Sequence, residues 1–403
     1  MSNGGQPSDE WGDPGYPTWF ARVTGVGESV RQALIVPLLA IVTAMIIGGI
    51  IIILTDLETL RLWGESPWEG FKQSISGVWE AYRALFTGAL GSPRAISETL
   101  FSATPLILAG LAVAVGFRAG LFNIGVNGQI HIGGMLALLV GFSFSLPLLV
   151  HIPLALLAGI AGGAIWGGIA GLLKGKTGAH EVITTIMLNF IALFLVDYFL
   201  TTTLFQVPGR QDPISQQVNE SARLPSLFSG GRVHIGFLIA VAAVFFVYWL
   251  LFKSSIGFEF RAVGFNPDAG RYAGMNVVWI YFGVMAVSGA LGGLAGANQL
   301  LGLEPYQALP NFAGNTGFDA IALALLGRSH PFGVLAAGLL FGALRAGGRS
   351  MQGSAGIPLD LVVVMQALII VFIAAPELVR SIWRVKAPEG DEGIQLTTGG
   401  WGG

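Results

Sequence analysis

Long apolar runs alternate with short polar connections along most of this chain. A helix needs roughly 20 mainly apolar residues to cross a bilayer. Ten stretches approach that requirement: 33–54, 98–117, 121–143, 152–173, 181–202, 233–252, 277–300, 315–327, 332–348 and 359–375. The piece 315–327 is short, so it is either a tenth crossing or a re-entrant segment that leaves eight or nine. The pattern predicts an all-α, polytopic helical membrane protein with about ten transmembrane helices. The first run is longer than the ~7–15 apolar residues of a signal peptide, and no small-residue cleavage site follows it, so it reads as a retained span.

Between the first two spans, Trp68, Phe71, Ile75, Val78, Trp79, Tyr82, Leu85 and Phe86 recur at helical spacing, with Gln73, Glu80 and Arg83 off that stripe. This predicts an amphipathic helix, lying on the outer membrane surface or packed on the protein's own spans. Glycines 159, 163, 167 and 171 form a small-residue stripe, echoed by Gly289/Gly293 and Gly338/Gly342. Such stripes let helix backbones approach closely, within one subunit or between two.

Composition sharpens the class. The 403 residues are 53% hydrophobic and 11% charged, with mean hydropathy +0.70, whereas a soluble domain carries about a quarter charged residues. A net charge of −2 argues against nucleic acid as a partner. Without cysteine there is no disulfide, thiolate nucleophile or Cys-based metal site. Lys174, Lys176, Lys253, Arg261, Arg271, Arg328, Arg380, Arg384 and Lys386 fall on one side of the predicted spans, while the connections 144–151 and 301–314 have no Lys or Arg. The positive-inside rule then puts both termini in the cytoplasm. The implied layout is a polar cytoplasmic tail 1–32, a membrane domain 33–375 with external loops 56–97 and 203–232, a cytoplasmic segment 253–276, and a cytoplasmic tail 376–403.

Candidate chemistry lies in buried amides. Asn123, Asn127 and His131 are spaced i, i+4, i+8, so in a helix they would share a face, with Gln129 beside them. Carboxamides at membrane depth need protein, water or substrate partners. Interhelical bonds are the plainer account of any single one, at ~0.6–2 kcal/mol each. Other deep polar groups are Asn189, Asp197, Asn298, Gln299, Asp319 and Gln366. Asp197 and Asp319 are expected near the outer surface or facing a cavity. The buried acids and bases are too few for a proton relay. His151, His180, His234 and His330 sit at span ends, where interfacial positions are expected, and no metal-ligand spacing occurs. Residues 170–177 fit a relaxed phosphate-binding loop, but they end a glycine-striped membrane helix, so the match is accidental.

The segment 253–276 is more elaborate than a connector requires. Asn266-Pro267-Asp268 supplies a cap, a proline at the first helical position and an acid in the first turn, while Gly274 can end the helix left-handed. A short extramembrane helix from Pro267 to Ala273 is predicted. The aromatic and charged residues of Gly257 to Gly264 before it suit docking of a cytoplasmic subunit.

Several stretches together resemble permease subunits of bacterial ABC importers for nucleosides, simple sugars and branched-chain amino acids, nearest the nucleoside branch. They are Ala103 to Val113 running into Gly120 to Gln129, Glu181 to Asn189, Gly257 to Gly274, and Gly317 to Gly327. The resemblance implies a bacterial inner-membrane subunit paired with a second, identical or homologous, permease. Two ATP-binding subunits would dock below and a substrate-binding lipoprotein above. ATP would be bound by the partners, leaving this chain non-catalytic and without a cofactor. Gly257, Glu259, Arg261, Gly264, Asn266, Pro267, Asp268 and Arg271 would form the ATPase-coupling segment. Asn123, Asn127, Gln129 and Asn189 would lie along the solute pathway, joined by His131, Asn298, Gln299 and Asp319 as deep polar groups. Relatives often carry an acid where this chain has Asn127, a departure that argues against a role for negative charge there and leaves hydrogen bonding to a neutral, hydroxyl-rich solute. The solute expected is a neutral polar one, a nucleoside foremost. A ribose-type sugar or branched-chain amino acid is the alternative within the class, and an autonomous channel or ion-coupled carrier the alternative outside it.

Overall fold

The structure, a computed structural model, describes residues 18–385. Of the predicted tails 1–32 and 376–403, residues 1–17 and 386–403, Lys386 included, lie outside the described residues. In chain order the helices are α1 (Thr18–Thr55), α2 (Leu57–Glu65), α3 (Pro67–Leu90), α4 (Pro93–Arg118), α5 (Val126–Ser143), α6 (Leu148–Thr177) and α7 (Glu181–Leu200). There follow α8 (Gly236–Lys253), α9 (Ser255–Phe265), α10 (Pro267–Tyr272), α11 (Val277–Gly302), α12 (Thr316–Leu326), α13 (Pro331–Ala355), α14 (Leu359–Ala374) and α15 (Pro376–Trp383). The all-α expectation is met. Helix α1 begins at Thr18, so residues 18–32, expected as a polar tail, are helical and lead into the apolar stretch Pro37–Thr55 that is long enough to cross.

Among the described residues, eight helices are long and apolar enough to cross a membrane, and α14 with α15 makes a ninth candidate bent by 94°. The short piece 315–327 emerges as α12, whose 11 residues rise only about 16 Å. It is half of a pass. Leu303, at the end of α11, lines a cavity with Arg345, whereas Arg118 at the far end of α4 donates to the carbonyls of Ser329 (2.9 Å) and Arg328 (3.1 Å). Residues 303–329 therefore run from one end of the bundle to the other, the first half as irregular backbone anchored at the buried Ala308 and Ala313 and otherwise largely exposed. Irregular backbone is tolerated at membrane depth only inside protein or beside a water-filled cavity.

Helix α4 is the axis. Its most apolar stretch is 78% buried, against 22% for α7, and Leu106, Ile107, Leu108 and Leu111 are fully enclosed. A helix apolar all round belongs inside, and α11, α12, α13 and α8 surround it. The glycine stripe of α6 meets α11 within the same chain: a methyl on Gly163 would strike the Gly289 carbonyl, and one on Gly159 would lie 3.2 Å from the Gly293 oxygen. Gly338 and Gly342 of α13 likewise admit Ile107 and Ala103 of α4.

Helix α3 is two-faced. Its small residues Ser74, Ala81, Ala84 and Ala89 are buried, and Gly88 and Leu85 press on Ser350 and Gly347 of α13. Trp68, Phe71, Ile75, Trp79 and Phe86 remain exposed on the other side. The helix thus packs on the protein through its small residues, Leu85 and Tyr82, whose hydroxyl donates to Met45 O of α1, and turns its other aromatics outward.

The loop 203–235 is a folded cap. Ser215 N donates to Ala308 O (3.1 Å), Val218 N to Tyr306 O (2.9 Å) and Leu224 N to Leu301 O (2.9 Å). Under it His151 is fully buried, joining Ser221 Oγ (2.8 Å) and Val140 O (3.0 Å). His234 is buried too, edge-on to Phe101. These two histidines are therefore not interfacial, because the cap covers both.

Candidate functional site

The amide-rich stretch forms a break rather than a helix. Between α4 and α5, residues 119–125 are non-helical, and Gly120 takes φ +67°, a region that favours glycine. Asn123 lies in this break, so the predicted common face with Asn127 and His131 does not exist. What Asn123 does is local. Its Oδ1 accepts from Gly125 N (2.9 Å), and its Nδ2 donates to Ser288 Oγ (2.7 Å) and Gln129 Oε1 (3.2 Å). Gln129 Nε2 returns a bond to Asn123 Oδ1 (3.3 Å).

A helix starting inside a membrane protein exposes N–H groups that need acceptors. Asn189, reaching over from α7, accepts from Gly128 N in the first turn of α5 (2.7 Å) and donates to Ile124 O (2.9 Å). Asn127 performs the same service for α12, accepting from Gly317 N (3.0 Å) while donating to Gly314 O (3.1 Å). His131 Nδ1 meets Asn127 O (2.8 Å), and its buried Nε2 has no partner, as is true of Asp197 Oδ1. Asn123, Asn127, Gln129 and Asn189 thus clamp α5, α7, α11 and α12 around one break, with their amide groups engaged by protein.

The remaining predicted pathway residues meet elsewhere. Asn298 and Gln299 on α11 line a cavity of about 150 Å³ with Phe101, Ser102, Pro105, His234, Leu303, Arg345 and Arg349. Asn298 is 1% exposed, and its Nδ2 lacks a protein partner. Gln299 Nε2 donates to Thr316 Oγ1 (3.4 Å), leaving its buried Oε1 unpaired. Asp319 is not a wall residue; it forms an ion pair with Arg345. Arg349 donates to Ser102 Oγ (2.8 Å) and to Glu98 Oε2 (3.3 Å), which Arg232 also contacts (3.2 Å). Sequence reasoning missed Arg345, Arg349 and Glu98. Two arginines four residues apart on an otherwise apolar helix signal a need for carboxylates nearby.

At the opposite end, α9 and α10 project together. Asn266 caps α10 through Oδ1, accepting from Asp268 N (2.9 Å) and Ala269 N (3.0 Å), and Gly274 takes φ +82° just past its end. The expected short helix is present, ending at Tyr272. Residues 255–265, which include the Gly257 to Gly264 stretch expected to suit docking but not assigned a helix, are a second helix whose cap is Ser254, accepting from Gly257 N (3.0 Å). Phe265 and Tyr272 are 95% and 96% exposed. Arg271 pairs with Asp268 (2.8 Å) at the surface. Gly257 folds α9 tightly against Leu250 O of α8. Gly264 presses on the break itself: a methyl there would sit 2.5 Å from the Ala119 carbonyl carbon, and one on Gly120 would sit 2.6 Å from the Gly264 oxygen. Arg261 and Arg118 share the ring of Phe252 (5.5 and 5.4 Å). His330 stacks on that ring (5.4 Å), and burial, then the Arg118 charge, push its pKa below the ordinary value.

Broken helices around buried amides and a projecting helix pair are thus set in a bundle whose helices are long and apolar enough to cross a membrane. Residues 95–374 match the family described as branched-chain amino acid transport system / permease component, and the chain belongs to that family. It is 39% identical over 354 residues to the guanosine ABC transporter permease protein NupP of Bacillus subtilis, covering 87% of this chain and 95% of the relative. It is 38% identical to the nucleoside ABC transporter permease protein NupB of Lactococcus lactis, over 85% of this chain and 91% of that one. It is 35% identical to the glucose ABC transporter permease protein TsgB13 of Haloferax volcanii, over 90% and 89%. No solved structure matches the chain significantly.

Proposed function

We propose that this chain is the membrane-spanning permease of an ABC importer and that its solute is a nucleoside. The observation that carries the permease reading is α9–α10: a capped, aromatic-tipped pair of helices outside the bundle whose Gly264 bears directly on the helix break at Ala119–Gly120. A force applied to α10 reaches the break through backbone contact, with no flexible side chain between. Glu259, Arg261, Pro267, Asp268 and Arg271 give the projecting surface mixed polarity around Phe265 and Tyr272. Nucleoside as solute is supported by near full-length similarity to two nucleoside-type permeases at 38–39% identity.

In this reading ATP is bound and hydrolysed by two partner subunits at the α9–α10 end, which the lysine and arginine distribution assigns to the cytoplasm together with both termini. A second permease, identical or homologous, completes the pathway, and an external lipoprotein delivers solute to the cap end. ATP drives transport by favouring one arrangement of the break over another, a shift between two states with differential affinity for the partners. The test is uptake in proteoliposomes. The complete complex should accumulate radiolabelled nucleoside only with ATP, partner subunits and binding protein present. Nucleoside flux through the purified chain alone, or glucose uptake without nucleoside uptake by the complex, would refute the reading.

A further inference from the structure

The chain between α11 and α12 goes too deep for a surface loop. Asn127 lies in the first turn of α5, and Gln129 beside it packs on Gly292, near the middle of the 26-residue α11. Gly314 and Gly317, both bonded to Asn127, therefore lie at mid-depth in the bundle. Phe312 sits about a turn of α5 further out, its ring edge-on to His131 at 4.9 Å. Yet Leu309, Pro310, Asn311, Asn315 and Phe318 are exposed. The backbone N–H groups of Asn311, Phe312 and Asn315 have no acceptor among the described residues. Hydrocarbon offers such groups no partner, so this stretch must meet protein or water.

Two carboxamides favour water. Asn123, Asn127 and Asn189 are taken up by bonds within the protein, whereas the side chains of Asn311 and Asn315 have no partner among the described residues. Asn315 stands at the N-cap of α12 without making a cap bond. A carboxamide both donates and accepts, and Phe318, one helical turn after Asn315, adds a ring that is 47% exposed. The stretch 309–318 contains no ionisable residue, and Asp319 next to it is paired with Arg345. Elsewhere along the bundle the exposed side chains are hydrocarbon, as with Leu157, Ile165 and Ile169 of α6 and Met187, Phe190 and Phe194 of α7. One face is regular and aliphatic, as lipid requires; this one is irregular and polar.

We propose that residues 309–318 form one wall of a water-filled solute pathway, that Asn311 and Asn315 are its solute-contacting amides, and that the second permease supplies the opposite wall. This rests on the importer reading above and assigns the pathway to one face of the chain. The wall suits a neutral solute rich in donors and acceptors. Exposed amides exchange such a solute for water readily, and so pass it along instead of trapping it.

The absence of native cysteine lets each position be probed singly. In the complete importer in proteoliposomes, Asn311→Cys and Asn315→Cys should react with a membrane-impermeant thiol reagent, at rates that differ between the ATP-free and ATP-bound complex. Ile165→Cys on α6 should stay unreacted. Asn315→Leu should lower nucleoside uptake about tenfold with an unchanged unfolding midpoint, and Asn315→Gln should recover most of the loss. If Asn311→Cys does not fold, because cysteine fits φ +51° less well than asparagine, Asn315→Cys decides alone. An Asn315→Cys that is unreactive in every nucleotide state would mean dry packing and would overturn the wall. Reaction of Ile165→Cys at the same rate, or full uptake in Asn315→Leu, would overturn it too. Reactive cysteines in an importer that carries no nucleoside would instead refute the solute reading and leave the wall in place.

Discussion

At the scale of single residues, the amides show how chemistry can be visible in a sequence while its purpose is not. Asn123, Asn127, Gln129 and Asn189 stand out in apolar surroundings, and membrane physics requires partners for them. Those partners lie up to 190 positions away, as Gly317 does from Asn127, so spacing along the chain could not supply them. The helical-face argument failed at Asn123 because Gly120 breaks the helix first. The geometry also accounts for an amide at position 127 in place of an acid. One atom must donate to Gly314 O and the other accept from Gly317 N; an ionised carboxylate can only accept. Asn127→Asp should therefore destabilise the protein by about 1–3 kcal/mol near neutral pH, read as a lower thermal unfolding midpoint in detergent. A protonated carboxyl can donate to Gly314 O again, so the deficit should shrink as pH falls through the acid's folded-state pKa. A deficit independent of pH would contradict the bond assignment.

At the scale of elements, legibility followed local chemistry. Helix α10 was readable because Asn266, Pro267 and Gly274 are sequence-local signals of helix start and stop. Helix α9 was not, since Gly257 and Gly264 lower helix propensity, and Gly264 answers to backbone at Ala119, far away in sequence. The half-pass at α12 was readable only as a short apolar run, because its irregular first half is held by Asn127 and by the 203–235 cap. The contact of Gly264 with Ala119 yields a test of coupling. Gly264→Val adds bulk against rigid backbone and should displace α9–α10 from the break. In the reconstituted complex, ATP hydrolysis should persist while nucleoside uptake falls at least about tenfold. Uptake and hydrolysis falling in parallel would mean that this contact transmits nothing.

At the scale of the whole molecule, the order of the apolar helices was legible from hydrophobic runs, although eight of the described helices, or nine with the bent pair, are long enough to cross against about ten expected; the packing around α4 was not, since helices that are neighbours in space are scattered in sequence. The two ends of the bundle differ in a way that suits alternating access. The α9–α10 end is joined by backbone contact, whereas the cavity end is closed by side chains: Glu98 at the start of α4 holds Arg232 of the cap and Arg349 of α13. These pairs are partly exposed, and pairs of that kind are worth about 0–1 kcal/mol each. Such a closure opens easily. It should respond to a docked partner or to loss of the shared carboxylate, and the absence of native cysteine makes this measurable. With a single cysteine introduced as Ser102→Cys at the cavity wall, Glu98→Gln should raise the labelling rate by a membrane-impermeant thiol reagent about three- to tenfold in the absence of ATP, 1 kcal/mol being a factor of about five. Adding solute-loaded binding protein to the Glu98 parent should have a similar effect. Labelling that is indifferent to both would place the barrier to the cavity in the helices themselves, and the Glu98 cluster would then be surface decoration.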